Sequence, residues 1–88
     1  MEFVAVRPCR FEAFEAVPRT RVSLDLSDCE RRLRSAGYET VSNAGVMLVV
    51  RKDVEVTVYP HGRLLMHPAK DRADAERIAR ELYEALGM

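Results

Sequence analysis

The fold of this chain is decided by residues 46–67, which read VMLVVRKDVEVTVYPHGRLLMH. The apolar run over residues 46–51 is typical of a strand that is buried on both faces, and residues 54–59 alternate apolar with polar side chains, as in a strand with one buried face. Turn-forming residues occupy positions 52–53 and 60–62, and an extended pattern resumes after the second turn. Because short turns join antiparallel neighbours, this stretch predicts three strands of a meander.

The segments before this stretch predict further strands. Residues 38–42 contain Tyr, Thr and Val and are followed by a turn at residues 43–45, which adds a fourth strand to the meander. Residues 21–26 alternate apolar and polar side chains, and residues 3–6 are typical of a short strand. Prolines interrupt residues 7–19, whose phenylalanines fit neither the helical nor the strand period, so we predict extended or irregular chain there.

Two amphipathic helices are predicted, one on each side of the meander in sequence. Residues 27–37 begin with a capping box, in which Ser27 and Glu30 satisfy each other's backbone N–H groups, and end at a glycine. Residues 71–87 place their apolar side chains on one face, from an N-cap at Asp71 to a second terminal glycine. Both helices therefore need an apolar surface on which to pack.

Together these elements predict a single α+β domain, with an antiparallel sheet of five to six strands and two helices packed on one face. Residues 1–19 are expected to be an N-terminal extension that adds an edge strand, and residues 20–88 are expected to form the core. The second face of the sheet then has no helix over it, and we take this face as the candidate interaction surface.

The later part of the chain resembles one half of the saddle-shaped TATA-box-binding-protein family. The resemblance lies in residues 58–71, VYPHGRLLMHPAKD, followed by Ala73, Ala75 and Ala79. It extends to the predicted order of strand, helix, four-stranded meander and long helix. In that family the helices cover the convex face of the sheet, and the concave face grips the DNA minor groove with aromatic wedges. The resemblance therefore implies a half-saddle core and a functional open face.

The resemblance also implies roles for individual residues. Tyr59 is similar to a wedging aromatic residue, Arg63 to a phosphate-contacting lysine, and Leu65 and His67 to groove-facing positions. Strand alternation groups these residues on one side of the sheet. The candidate interaction face comprises Glu55, Thr57, Tyr59, Arg63, Leu65 and His67. The chain departs from the family pattern because residues 43–45 lack the second wedging aromatic residue and because only one half-saddle is present, which a homodimer would complete.

Charge restricts the class of partner. The chain of 88 residues has 14 basic and 14 acidic side chains, so its formal net charge is zero. Long-range attraction to nucleic acid or anionic lipid is therefore absent, and any polyanion must meet a local basic patch. Arg31, Arg32 and Arg34, on the outer face of the first predicted helix, are the candidate phosphate contacts. The acidic residues among them favour the alternative of an ordinary solvated helix face.

Neither a metal site nor a catalytic site is predicted. The soft or borderline ligands Cys9, Cys29, His61 and His67 lack the short spacings of zinc sites, and the two histidines lie at opposite ends of one short strand, roughly 20 Å apart. Both cysteines are expected to be reduced and buried. The four glycines are used in turns and helix ends, which leaves no phosphate-binding loop. We predict no cofactor and no enzymatic activity.

No apolar run approaches the roughly 20 residues that cross a bilayer, and the start of the chain lacks the order of a signal peptide. We therefore expect a cytoplasmic protein without a membrane partner. The predicted function is a non-enzymatic protein-interaction or self-assembly module, whose partner is a second copy in a homodimer or another protein. The alternative is nucleic-acid binding through the open sheet face as a homodimer. The neutral charge and the carboxylate of Glu55 favour the first function over the alternative.

Overall fold

The computed structural model describes residues 2–7 and 13–88, which form six strands and two helices. The elements are β1 (Phe3–Val6), β2 (Phe14–Pro18), α1 (Leu26–Ser35), β3 (Glu39–Asn43), β4 (Leu48–Arg51), β5 (Glu55–Val58), β6 (Leu64–His67) and α2 (Arg72–Ala85). The strands make one sheet in the order β1-β2-β6-β5-β4-β3, and all neighbours are antiparallel. The predicted meander is confirmed as β3 to β6.

The core lies between one face of the sheet and the two helices. Alternate residues of the strands are buried on this face, and α1 lies over β3 and β4 while α2 lies over β1, β2 and β6. The largest fully buried side chains are Tyr83, Leu33, Leu48, Leu64, Met66, Leu82, Val50, Val56 and Val58. Each such aliphatic side chain contributes about 1.5–3 kcal/mol by leaving water. The predicted α+β class, with both helices on one face, is confirmed.

The position of the strand beside β6 differs from the prediction. No paired strand is predicted in residues 7–19, only extended or irregular chain, but Phe14–Pro18 is a strand that pairs with both β1 and β6. Residues 8–12 of that segment lie outside the described residues. Pro18 is tolerated because it is the last residue of the strand. The predicted N-terminal extension therefore contains an internal strand of the sheet as well as the edge strand β1.

The strand predicted over residues 21–26 is wrong. Val22 and Leu24 are half-buried, so the alternation in the sequence is real, but β2 already pairs with the available edge of β6. The segment makes one backbone hydrogen bond to the sheet, from Leu24 N to Pro60 O at 2.8 Å, and Leu26 is already helical. Alternating burial thus arises here from an extended loop that packs on the sheet without joining it.

Burial of β4 is also one-sided, which corrects the prediction of a strand buried on both faces. The strand begins at Leu48, and the preceding Val46 is 71% exposed in the turn. Leu48 and Val50 are fully buried against the helices, whereas Val49 is half-buried on the opposite face. Of the five apolar residues 46–50, only Leu48 and Val50 therefore lie in the core, and Val46, Met47 and Val49 lie outside it.

Helix α1 begins with a different cap from the predicted one. The N-cap is Asp25, whose carboxylate accepts hydrogen bonds from Ser27 N at 3.0 Å and Asp28 N at 3.4 Å. Glu30 does not complete a capping box but accepts a hydrogen bond from Asn43 Nδ2 at 2.9 Å. Asp25 acts in place of Ser27 because it is the last extended residue before the helix and its carboxylate reaches both N–H groups.

Substitutions of Asp25 and of Ser27 distinguish the observed Asp25 cap from the predicted capping box. Asp25→Ala is expected to lower the free energy of unfolding by about 1 kcal/mol, because two helix N–H groups lose their acceptor. Ser27→Ala is the matched control and is expected to change it by less than about 0.5 kcal/mol, as for most surface substitutions. Urea denaturation measures both values. If Ser27→Ala lowered the free energy of unfolding more than Asp25→Ala, Ser27 would be the cap, as the capping box predicts.

Candidate interaction face

The sheet face opposite the helices is not covered by any element in residues 2–7 and 13–88. We call it the open face. Its members alternate along each strand with the buried residues, so they are read directly from the strand register. The open face comprises Val4 and Val6 of β1, Glu15 and Val17 of β2, Glu39 and Ser42 of β3, Val49 and Arg51 of β4, Glu55, Thr57 and Tyr59 on and after β5, and Arg63, Leu65 and His67 on and before β6.

One end of the open face is a row of charged and polar side chains. Glu39 lies opposite Arg51, Arg51 opposite Glu55, and Glu55 opposite His67. Arg51 bridges the two acids, with its guanidinium nitrogens 3.9 Å from Glu39 Oε1 and 3.7 Å from Glu55 Oε2. All four side chains are exposed, so these ion pairs contribute about 0–1 kcal/mol each and mainly neutralise this end of the face.

The centre of the open face is apolar, with one ion pair. Leu65 lies opposite Thr57 on one side and Glu15 on the other, and all three are half-buried. The Glu15 carboxylate is 3.4 Å from the guanidinium of Arg63, and the two side chains are 19% and 43% exposed. Arg63 Nε is buried and has no hydrogen-bond partner in the described part of the chain. The positive charge of Arg63 is therefore already paired with the carboxylate of Glu15 on the same face.

Aromatic and aliphatic side chains form the opposite end of the open face. The Tyr59 ring lies 5.8 Å from the His61 ring, measured between centroids. Across β6, Val17 lies opposite Val4 of the edge strand, and Val4 is 37% exposed. The open face is therefore polar at the end that carries the charged row and mainly apolar at the opposite end.

The structure brings the six predicted face residues together on the open face. Their parity could be read from the sequence because β5 and β6 alternate regularly. Sequence reasoning missed Glu15 and Val17, since both lie on the unpredicted strand β2. The alternation of buried Phe14 and Ala16 with these two residues was the available signal, but it covers only five residues and ends in proline.

The three arginines on α1 have different surroundings. Arg31 and Arg32 both form ion pairs with Asp28, and Arg32 Nη1 also donates to Leu86 O at 3.3 Å, which joins the two helices. Desolvation acts to raise the pKa of Asp28, but hydrogen bonds from Arg32 and Arg31 hold it below its usual value. Arg34 is exposed beside Arg31. Two of the three candidate phosphate contacts therefore already have a carboxylate partner.

Metal-ligating residues are not grouped in the described ranges 2–7 and 13–88. No cluster of three or more His, Cys, Asp or Glu side chains there could hold an ion. His61 lies before β6 and His67 is the last residue of that strand. Cys29 is a free thiol in the core, and its pKa is raised by burial. Cys9 lies outside the described residues.

Neither described helix has the length and apolarity that a membrane span requires.

Comparison with known proteins does not identify a relative of this chain. No protein-family model matches the chain, and neither a curated protein nor a solved structure shows significant similarity to it.

Proposed function

We propose that this chain is a non-enzymatic self-assembly module that forms a homodimer through its open face. The observation that carries the proposal is the one-sided cover of the sheet, with both helices on one face and half-buried apolar side chains on the other. Leu65, Tyr59, Val17 and Val4 place apolar side chains on or beside four adjacent strands, with the Arg63–Glu15 ion pair among them. Burying this region against a second copy would remove apolar surface from water without requiring a change of fold.

The charges of the open face favour a second copy over nucleic acid. The open face carries three acidic side chains, those of Glu15, Glu39 and Glu55, and two arginines, Arg51 and Arg63. Both arginines are within 4 Å of a carboxylate. Such a face offers no excess of positive charge to a phosphate backbone. A mixed face is compatible with its own copy, because acids of one copy can lie near arginines of the other, and the zero net charge of the chain removes long-range repulsion.

The size of the face sets the expected strength of the dimer. Six strands at a spacing of about 4.8 Å give a width of about 24 Å, and strands of four to five residues are about 15 Å long. This area is smaller than the roughly 800 Å² per partner of a standard interface, so we expect a weak dimer that dissociates at micromolar concentrations.

Sedimentation across a concentration series tests the proposal. The wild-type chain is expected to pass from monomer to dimer between about 5 and 500 μM, in the range of weak interfaces. The Tyr59→Ala/Leu65→Ala double variant is expected to dissociate at least about tenfold more readily, because it removes two large apolar side chains from the open face. The matched control is Val46→Ala, which removes an exposed apolar side chain in the β3–β4 turn, off the open face.

Two outcomes would refute self-assembly through this face. One is a wild-type chain that stays monomeric at the highest concentration, and the other is a double variant that associates like wild type. The resemblance to the half-saddle family supports nucleic acid as the alternative occupant. In that case duplex DNA would bind instead, and the affinity would fall steeply with salt because phosphate contacts release counterions.

A further inference from the structure

A cleft at the edge of the open face shares Val17 with it, and the proposed function does not use the other residues that line the cleft. It has a volume of about 580 Å³ and is lined by residues 17–23 and His61. It lies where the loop between β2 and α1 passes the turn between β5 and β6. Its apolar part is formed by Val17, Pro18 and Val22, and the remaining lining residues are two arginines, two hydroxyl residues and the histidine.

The two walls of the cleft are held together by close contacts. Gly62 packs so tightly against the loop that a Cβ atom there would lie 2.9 Å from Pro18 Cγ and 3.2 Å from Val22 Cβ. Leu24 N donates to Pro60 O at 2.8 Å, and the buried Tyr83 hydroxyl donates to Gly62 O at 2.6 Å. The loop and the turn that carries His61 therefore keep a fixed relative position, and a ligand would not have to order them.

Among the described residues, the charged side chains that line the cleft are two arginines, Arg19 and Arg21. His61 lines it with them, and none of the lining residues in this part of the chain is a carboxylate. Neither arginine forms an ion pair with another residue of the described ranges, in contrast to Arg31, Arg51 and Arg63. Arg19 also lines a second, shallow pocket with Glu2 and Arg80, and Arg19 N donates to the backbone oxygen of Glu2 at 3.1 Å.

We propose that this cleft binds a phosphomonoester, with the phosphoryl group held by Arg19 and Arg21. Two guanidinium groups supply paired N–H donors that match the terminal oxygens of a dianionic phosphate. Thr20, Ser23 and His61 add hydroxyl and imidazole donors at the same site. The apolar part of the cleft receives the organic group of the ester. The site does not depend on self-association.

Titration of ¹⁵N-labelled protein with phenyl phosphate tests this site. We expect saturable shift changes centred on the amides of residues 19–23 and His61. Dimethyl phosphate and benzoate carry one negative charge each and are expected to bind at least about tenfold more weakly. If dimethyl phosphate binds as well as phenyl phosphate, the site recognises a phosphodiester and the monoester assignment is wrong. Shift changes that do not saturate, or that lie elsewhere, would refute the proposal that this cleft binds a phosphomonoester.

A pair of charge-matched variants identifies the residues. Arg19→Ala/Arg21→Ala is expected to weaken phenyl phosphate binding at least about tenfold, since each charge-assisted contact is lost. Lys70→Ala/Arg72→Ala removes the same charge from exposed positions at the start of α2 and is expected to bind like wild type. Arg72 lies about 16 Å along α2 from Tyr83, the residue that contacts the turn of the cleft. Equal losses in both variants would mean attraction by overall charge alone and would refute the site.

Discussion

Replacing Gly62 with alanine is expected to lower the free energy of unfolding by about 3 kcal/mol. Two costs combine at this position. Gly62 has a φ of +93°, which costs an alanine about 1–2 kcal/mol. Its new Cβ would also lie 2.9 Å from Pro18 Cγ and 3.2 Å from Val22 Cβ, and such overpacking costs about 1–3 kcal/mol. Proline cannot yield by a rotamer change, so the loop itself must shift.

Gly45→Ala is the control for the backbone cost alone. Gly45 has a φ of +83°, close to that of Gly62, but nothing lies within 4 Å of the position of a Cβ atom. Its substitution is therefore expected to cost about 1 kcal/mol. Urea denaturation of both variants gives the difference, which measures the contact between the turn and the loop. Equal costs would show that Gly62 is required for its backbone angle and not for close packing.

The contact at Gly62 also shows which part of the structure the sequence could predict. The meander was readable because turn residues separate regular alternation, as in Lys52-Asp53 before β5. The alternation also gave the parity of the open face, including Tyr59 and Leu65. These are local properties, since each strand pairs with the next one in the chain.

The parts that the sequence could not predict depend on contacts between distant segments. The pairing of Glu15 with Leu65 places β2 beside β6, and nothing in the five residues of β2 specifies that neighbour. With β2 in place, residues 19–25 become a loop, and its two arginines line the same cleft as His61. The cleft therefore follows from which strand takes the edge of β6, a choice that the residue period does not encode.

The hydroxyl of Tyr83 is expected to stabilise the fold by about 1–3 kcal/mol near neutral pH. It donates to Gly62 O at 2.6 Å, and Tyr83 is only 2% exposed, so Tyr83→Phe leaves a buried carbonyl without this donor. The substitution retains the ring that packs against Phe3 at 5.4 Å between centroids. Denaturation of wild type and variant at pH 7 measures the hydroxyl contribution, and a difference near zero would contradict the buried hydrogen bond.

The same pair of proteins has an expected dependence on alkaline pH. Burial raises the pKa of Tyr83 well above its usual value, so the folded state keeps the proton that the unfolded chain releases above about pH 10. The contribution of the group is therefore complete below pH 10 and decreases as the pH rises. Wild type should lose up to about 1.4 kcal/mol per pH unit relative to Tyr83→Phe above that point, while groups present in both proteins cancel. A stability difference that stays constant from pH 8 to about 11.5 would mean that the Tyr83 hydroxyl titrates alike in both states, and that it does not hold the turn of Gly62 as described.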